Sequence, residues 1–164
     1  MQLKESTRKY ILLGIVAIII VGILSAKVMG KKQDEVFASE DILYQQVTQL
    51  YSEGNYEQAS TFASKLLLEQ PKSEVVNYLG AIIAASNNDF TQAAILMQKT
   101  MDLNPYKVED AMFMLQFGEI LYFAERYEDA KIVLVRCQES GWAPEQYPTY
   151  QERVTELLTL IENM

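Results

Sequence analysis

Slid against itself by 34 residues, the sequence repeats: Asn55-Tyr56-x-x-Ala59 falls on Asp89-Phe90-x-x-Ala93, and Pro71 falls on Pro105. A fixed period of this length means that one supersecondary unit is built again and again along the chain. A third copy, Arg126-Tyr127-x-x-Ala130, follows the second after 37 residues. The three extra residues fall in or near Tyr106-Lys107-Val108-Glu109-Asp110 and lengthen either the turn or the next helix. Within each unit, apolar residues recur at helical spacing over segments of about fourteen residues separated by turn signals. Asn55 with Gln58, and Asp89 with Gln92, place a capping side chain three residues before an amide, so the same helix start recurs. The predicted class is all-α.

A 34-residue helix-turn-helix period carrying an aromatic, a small residue three places on and a proline twelve further resembles the tetratricopeptide repeat (TPR) family. The resemblance covers residues 40 to about 142. Its second-helix signature is Tyr56, Phe90 and Tyr127, then Ala59, Ala93 and Ala130, then Ala63, Met97 and Leu134. The first-helix signature departs further from the family, with Leu43, Asn77 and Met114 where Trp tends to stand. Repeat three has Trp142 in place of the proline, with Pro144 nearby. The family's residue types have a packing logic: the small residue lets two antiparallel backbones approach, and the proline ends a helix it cannot continue.

The resemblance implies an α-α superhelix of three TPR-like hairpins, at about 40–73, 74–110 and 111–144, closed by a capping helix over 149–163. Together they form a TPR-like domain at 39–164. Single hairpins cannot bury their apolar faces, so an array needs several units and a polar-faced end. Thr149 with Glu152 reads as a capping box, and Val154, Leu157, Leu158 and Ile161 form an apolar stripe expected to face repeat three, the alternative being a partner-binding face.

Ahead of the repeats, residues 10–26 carry no charge, and the apolar run continues past Lys27 to Gly30. At ~1.5 Å per residue, 10–30 would extend ~31 Å, about the thickness of a bilayer's hydrocarbon core. The expectation is a transmembrane helix at 10–30 between a short basic tail at 1–9 and a linker at 31–38. A cleaved signal peptide is the competing reading, but Leu24 occupies the place where cleavage after Ala26 needs a small residue. Lys and Arg near the two ends tie at three each, so the positive-inside rule decides nothing. The short basic tail favours a single-pass arrangement with the N-terminus cytoplasmic and the TPR domain extracytoplasmic.

Charge and composition then bound the chemistry. Of 36 charged residues, 1–32 carry six basic and one acidic, whereas 33–164 carry eight and twenty-one, a balance of −13. Phosphate contacts depend on basic side chains, so nucleic acid is not an expected partner. With no histidine and only Cys137, histidine-dependent triads, His metal sites and intrachain disulfides are excluded. Neither a catalytic residue, a metal site nor a cofactor is expected. An enzyme-like role centred on Cys137 is left as a minor alternative.

In the TPR family the first helix of each hairpin lines a concave groove that holds peptides. The resemblance therefore points to Tyr44, Thr48 and Tyr51 in repeat one, Tyr78 and Ile82 in repeat two, and Leu115, Glu119 and Tyr122 in repeat three. Tyrosine offers a broad apolar face, a hydroxyl and few rotamers to freeze, which suits a wall that is wet when empty and dry when filled. The expected ligand is a protein or peptide with an apolar or basic segment, and the expected function is a membrane-anchored adaptor that scaffolds or helps assemble a membrane or envelope complex. The alternatives are a permanent structural subunit of a membrane complex without a free groove, and a groove filled by the cap or by a second copy in a homo- or hetero-oligomer.

Overall fold

The computed structural model describes residues 41–164. The expected tail, spanning helix and linker at 1–9, 10–30 and 31–38 lie outside the described residues. Among the described residues no helix is long and apolar enough to cross a membrane. The expected localisation, a single-pass membrane protein with an extracytoplasmic repeat domain, is corrected on that finding and is not carried forward.

The described helices are α1 (through residue 52), α2 (Tyr56–Glu69), α3 (Glu74–Ser86), α4 (Phe90–Leu103), α5 (Ala111–Phe123), α6 (Tyr127–Glu139) and α7 (Tyr150–Glu162). The residues added between the second and third copies form a 3₁₀ turn, Pro105–Glu109, that occupies the connection from α4 to α5. Of the two ways to absorb them, the chain lengthens the turn. Asp110 then caps α5, its Oδ1 accepting the Phe113 amide at 3.1 Å.

Each hairpin turns in the same way. The residues before the second helices, Gly54, Asn88 and Glu125, have φ of +76°, +61° and +60°. Their successors donate backbone N–H groups to Leu50, Ala84 and Leu121, each at 2.9 Å, which closes the last turn of the preceding helix. Asp89 also caps α4 through the Gln92 amide at 3.0 Å. Asn55 does not cap α2; its amide reaches the Glu53 carboxylate at 3.3 Å instead. Thr149 likewise makes no side-chain cap at α7, so the two side-chain caps expected there are absent.

The repeated small residues Ala59, Ala93 and Ala130 are fully buried, as are Met97 and Leu134. α3 packs on α2 and α4, α5 on α4 and α6, and α7 on both α5 and α6. Gly118 lies against Leu134: a Cβ built there would stand 2.6 Å from Leu134 Cδ2. At the position where the family favours Trp, Asn77 is fully buried and its amide donates to the carbonyls of Pro71 (3.2 Å) and Ser73 (2.6 Å), fixing the turn before α3.

Apolar burial divides into two clusters. One joins Leu43, Val47, Ala59, Ala63, Leu66, Val76 and Ile83 from α1 to α3; the larger runs from Ala81 to Leu158. The stripe of α7 belongs to the larger cluster: Val154, Leu157 and Leu158 are buried there and Ile161 is packed at its edge, so α7 closes the array rather than offering that face to a partner. Tyr150, at the start of α7, is fully buried and donates its hydroxyl to the Ala111 carbonyl at 2.9 Å, tying the cap to the first turn of α5.

Candidate functional site

The eight expected groove residues have different environments. On α1, Tyr44 and Tyr51 are half-buried and pack against the smaller apolar cluster. Thr48 turns its hydroxyl back to the carbonyls of Tyr44 (3.1 Å) and Gln45 (2.9 Å). Tyr51 lies 5.5 Å from Tyr56, centroid to centroid.

Tyr78 does more inside the array than on its surface. Its hydroxyl donates to Gln116 Oε1 on α5, and its ring sits 5.7 Å from Phe113. Lys107 Nζ stands 5.6 Å above the same ring and pairs with Glu74 (3.5 Å) and Asp110 (3.2 Å). Burial pushes the Tyr78 phenol above its ordinary value, and the Asp110 charge adds to the effect. Burial works against charge on Lys107 as well, but Asp110 and Glu74 outweigh it and raise its affinity for the proton. The chain thereby clasps α3 to α5 across the inserted turn.

Leu115 is 2% exposed and belongs to the larger core. The expectation that it lines the groove is corrected: α7 docks on α5 and this leucine is part of the core beneath. Glu119 is compensated by Arg153 of α7, whose Nε donates to Oε1 at 2.7 Å while Nη1 donates to Glu156 at 2.8 Å. Burial opposes charge on Arg153, and the two carboxylates more than restore it. Tyr122 meets Phe123 and Tyr127 edge-on at 5.3 and 5.7 Å.

Of the eight, Ile82 and Glu119 share a cavity of about 250 Å³ between α3 and α5. Its apolar wall is completed by Ala85, Phe90, Ile120 and Phe123, and its polar edge by Ser86 and Gln116. Phe90 and Phe123 stack at 5.0 Å, and Phe123 remains 49% exposed. Phe90 is marked in the sequence only as the aromatic of the second-helix signature. Its signal, an aromatic at the start of a second helix, is identical to that of Tyr56 and Tyr127, and only the neighbouring α5 makes it part of a cavity. Because Arg153 already neutralises Glu119, this cavity suits apolar surface better than a cation.

Cys137 is fully buried beside Tyr150, and burial pushes its thiol up. Thiolate chemistry needs exposure and a stabilising cation, and this thiol lacks the first. Among the described residues no group of three or more Cys, Asp or Glu side chains is placed to hold a metal ion.

No family model matches the chain, and no curated protein does. Solved structures do. The type III secretion chaperone SycD of Yersinia enterocolitica, in complex with a peptide of the translocator YopD, matches with a TM-score of 0.61 at 16% identity over 75% of this chain and 92% of that one. PcrH in complex with the chaperone-binding region of PopD matches with a TM-score of 0.59 at 12% identity, over 75% of this chain and 90% of that one. The TPR domain of Sgt2 from Aspergillus fumigatus matches at 0.57 and 13% identity, over 76% and 78%. At these identities the likeness is one of fold: the described chain has the all-α, TPR-like helical-repeat architecture that its period implies.

Proposed function

We propose that this chain is a non-enzymatic TPR-like adaptor that holds an apolar segment of a partner protein against α3 and α5. The observation that carries the reading is the cavity of about 250 Å³ walled by Ile82, Phe90, Ile120 and Phe123, with Ser86, Gln116 and Glu119 as its polar lining. An apolar side chain entering it removes exposed aromatic surface from water, and Ser86 and Gln116 satisfy the backbone that carries it. In this reading Tyr44, Thr48, Tyr51, Tyr78 and Tyr122, on the first helices of the three hairpins, would extend the contact beyond the cavity. Support by likeness comes from SycD and PcrH, which share the fold and whose structures hold a peptide of the translocator YopD and the chaperone-binding region of PopD.

Peptides selected from a random display library against the full chain test this. The expected peptides carry one or two large apolar anchors. Ile82→Asp is expected to abolish their binding and Phe123→Ala to weaken it about five- to thirtyfold, the range for losing a central aromatic contact. Both side chains are partly exposed, so the helical circular dichroism should persist. Selected peptides that bind both variants as tightly as the parent would reject the cavity as the site.

A further inference from the structure

α3 presents a second cavity on a different face. Gly80, Ile83 and Ala84 form its floor, α2 and α4 its walls, and its volume is about 410 Å³. We propose that this trough docks a lysine- or arginine-bearing segment of a partner protein, separately from the apolar cavity between α3 and α5. The floor and lower walls are apolar, with Leu67 and Leu96 reaching within 3.0 and 3.2 Å of where a Gly80 Cβ would lie. The polar lining is more exposed: Ser60, Thr61 and Ser64 of α2, the last two donating their hydroxyls to the Glu57 and Ser60 carbonyls, and the exposed carboxylates of Glu57 and Asp89. No basic side chain lines the trough. Among the described residues neither carboxylate is in an ion pair; Asp89 spends Oδ1 on the Gln92 amide and keeps Oδ2 as an acceptor.

This order of surfaces matches a long cationic side chain, whose methylene stem favours apolar walls while its charged head stays at a polar rim. The rim is held in place: Asn87 at the end of α3 donates to the Tyr56 carbonyl at the start of α2, at 2.9 Å. Electrostatic complementarity extends beyond the site, because the −13 balance of 33–164 draws basic segments toward the domain. The apolar cavity differs in this respect, since its only carboxylate, Glu119, is already paired with Arg153. A partner with an apolar stretch and a basic stretch would thus engage two faces of α3.

Fluorescence anisotropy of the full chain with a fluorescein-labelled nonapeptide of alternating lysine and leucine tests the proposal, with a serine-leucine peptide as control. The lysine peptide is expected to bind more tightly than the control and to weaken as salt is raised. Glu57→Gln and Asp89→Asn should each weaken it roughly two- to fivefold, the range for ion pairs at an exposed rim. Asparagine caps helices as well as aspartate does, so the second change spares α4. Ser64→Trp, on the exposed wall of α2, should block the trough and lower affinity at least about tenfold, as loss of a whole pocket contact does. Equal binding of both peptides, no detectable lysine-peptide binding at low salt, or unchanged affinity in all three variants would overturn the proposal. Loss of binding in Ile82→Asp with retention in Ser64→Trp would place the peptide in the apolar cavity and overturn it too.

Discussion

Gly118→Ala sets two opposing effects against each other at one atom. Alanine in place of glycine inside a helix gains about 1 kcal/mol of intrinsic helix stability. At Gly118 the new Cβ would stand 2.6 Å from Leu134 Cδ2 and 2.8 Å from its Cγ, and Leu134 is fully buried. Carbon pairs are comfortable at about 3.5–4.0 Å, so α5 and α6 must part, and overpacking of this kind costs about 1–3 kcal/mol. A contact of 2.6 Å sits at the upper end of that range, about 2–3 kcal/mol, so the steric effect wins, for a net loss of about 1–2 kcal/mol. With a urea m-value of about 2 kcal/mol/M, the unfolding midpoint of the full chain, read by circular dichroism, falls by about 0.5–1 M. Gly80 is the internal control. There the nearest atoms are the tips of Leu67 and Leu96 at 3.0 and 3.2 Å, and Leu67 is only half-buried, so Gly80→Ala should change stability by less than about 0.5 kcal/mol. In a Leu134→Ala background the obstacle is gone, and Gly118→Ala should become neutral or stabilising by up to about 1 kcal/mol. A single Gly118→Ala variant as stable as the parent would refute the close packing of α5 on α6.

Four further outcomes are expected. Glu125 holds φ of +60° where the first hairpin has glycine, so Glu125→Gly should raise stability by about 0.5–1 kcal/mol in the same urea titration. Tyr150→Phe removes the hydrogen bond to Ala111 and should cost about 1–2 kcal/mol, again measured by urea unfolding. Folding raises the proton affinities of Cys137, Tyr78, Tyr150 and Lys107, whose ordinary values run from 9.0 to 10.5. Each contribution is fully present below the ordinary value and is lost as pH rises toward the folded one, so stability should fall above about pH 9, measured by urea unfolding as a function of pH. Cys137 should resist a maleimide reagent in the native protein and react at once in denaturant, because its side chain is fully enclosed.

The repeat was legible because its marks are local. An aromatic at the head of a helix and an alanine three residues on have the same meaning in every copy, and Tyr56 with Ala59 could be read without knowing what α2 touches. Turn conformation was partly legible: Gly54 and Asn88 are residue types that favour the left-handed region, but Glu125 at the equivalent place is not. Asn55 and Thr149 look like caps, yet a side chain's choice of partner depends on a contest that spacing alone does not decide. The groove was less legible still. Leu115 reads as wall until α7, some 35 residues later, packs on its helix, and that same docking brings Arg153 to Glu119. Tyr150 carried no repeat signal, although it anchors the cap.

The division of the apolar interior has a consequence for how the molecule comes apart. Among the described residues the cluster of α1 to α3 buries fewer side chains than the larger one and meets it across α3, whereas α4 to α7 share one continuous interior. Arrays of this kind lose order unit by unit from their weaker end. Amide deuteration should therefore run through α1 and α2 well before it reaches α5. Such an opening would expose Val76 and Ile83, the α3 side chains that those helices now cover, while the remainder stays intact.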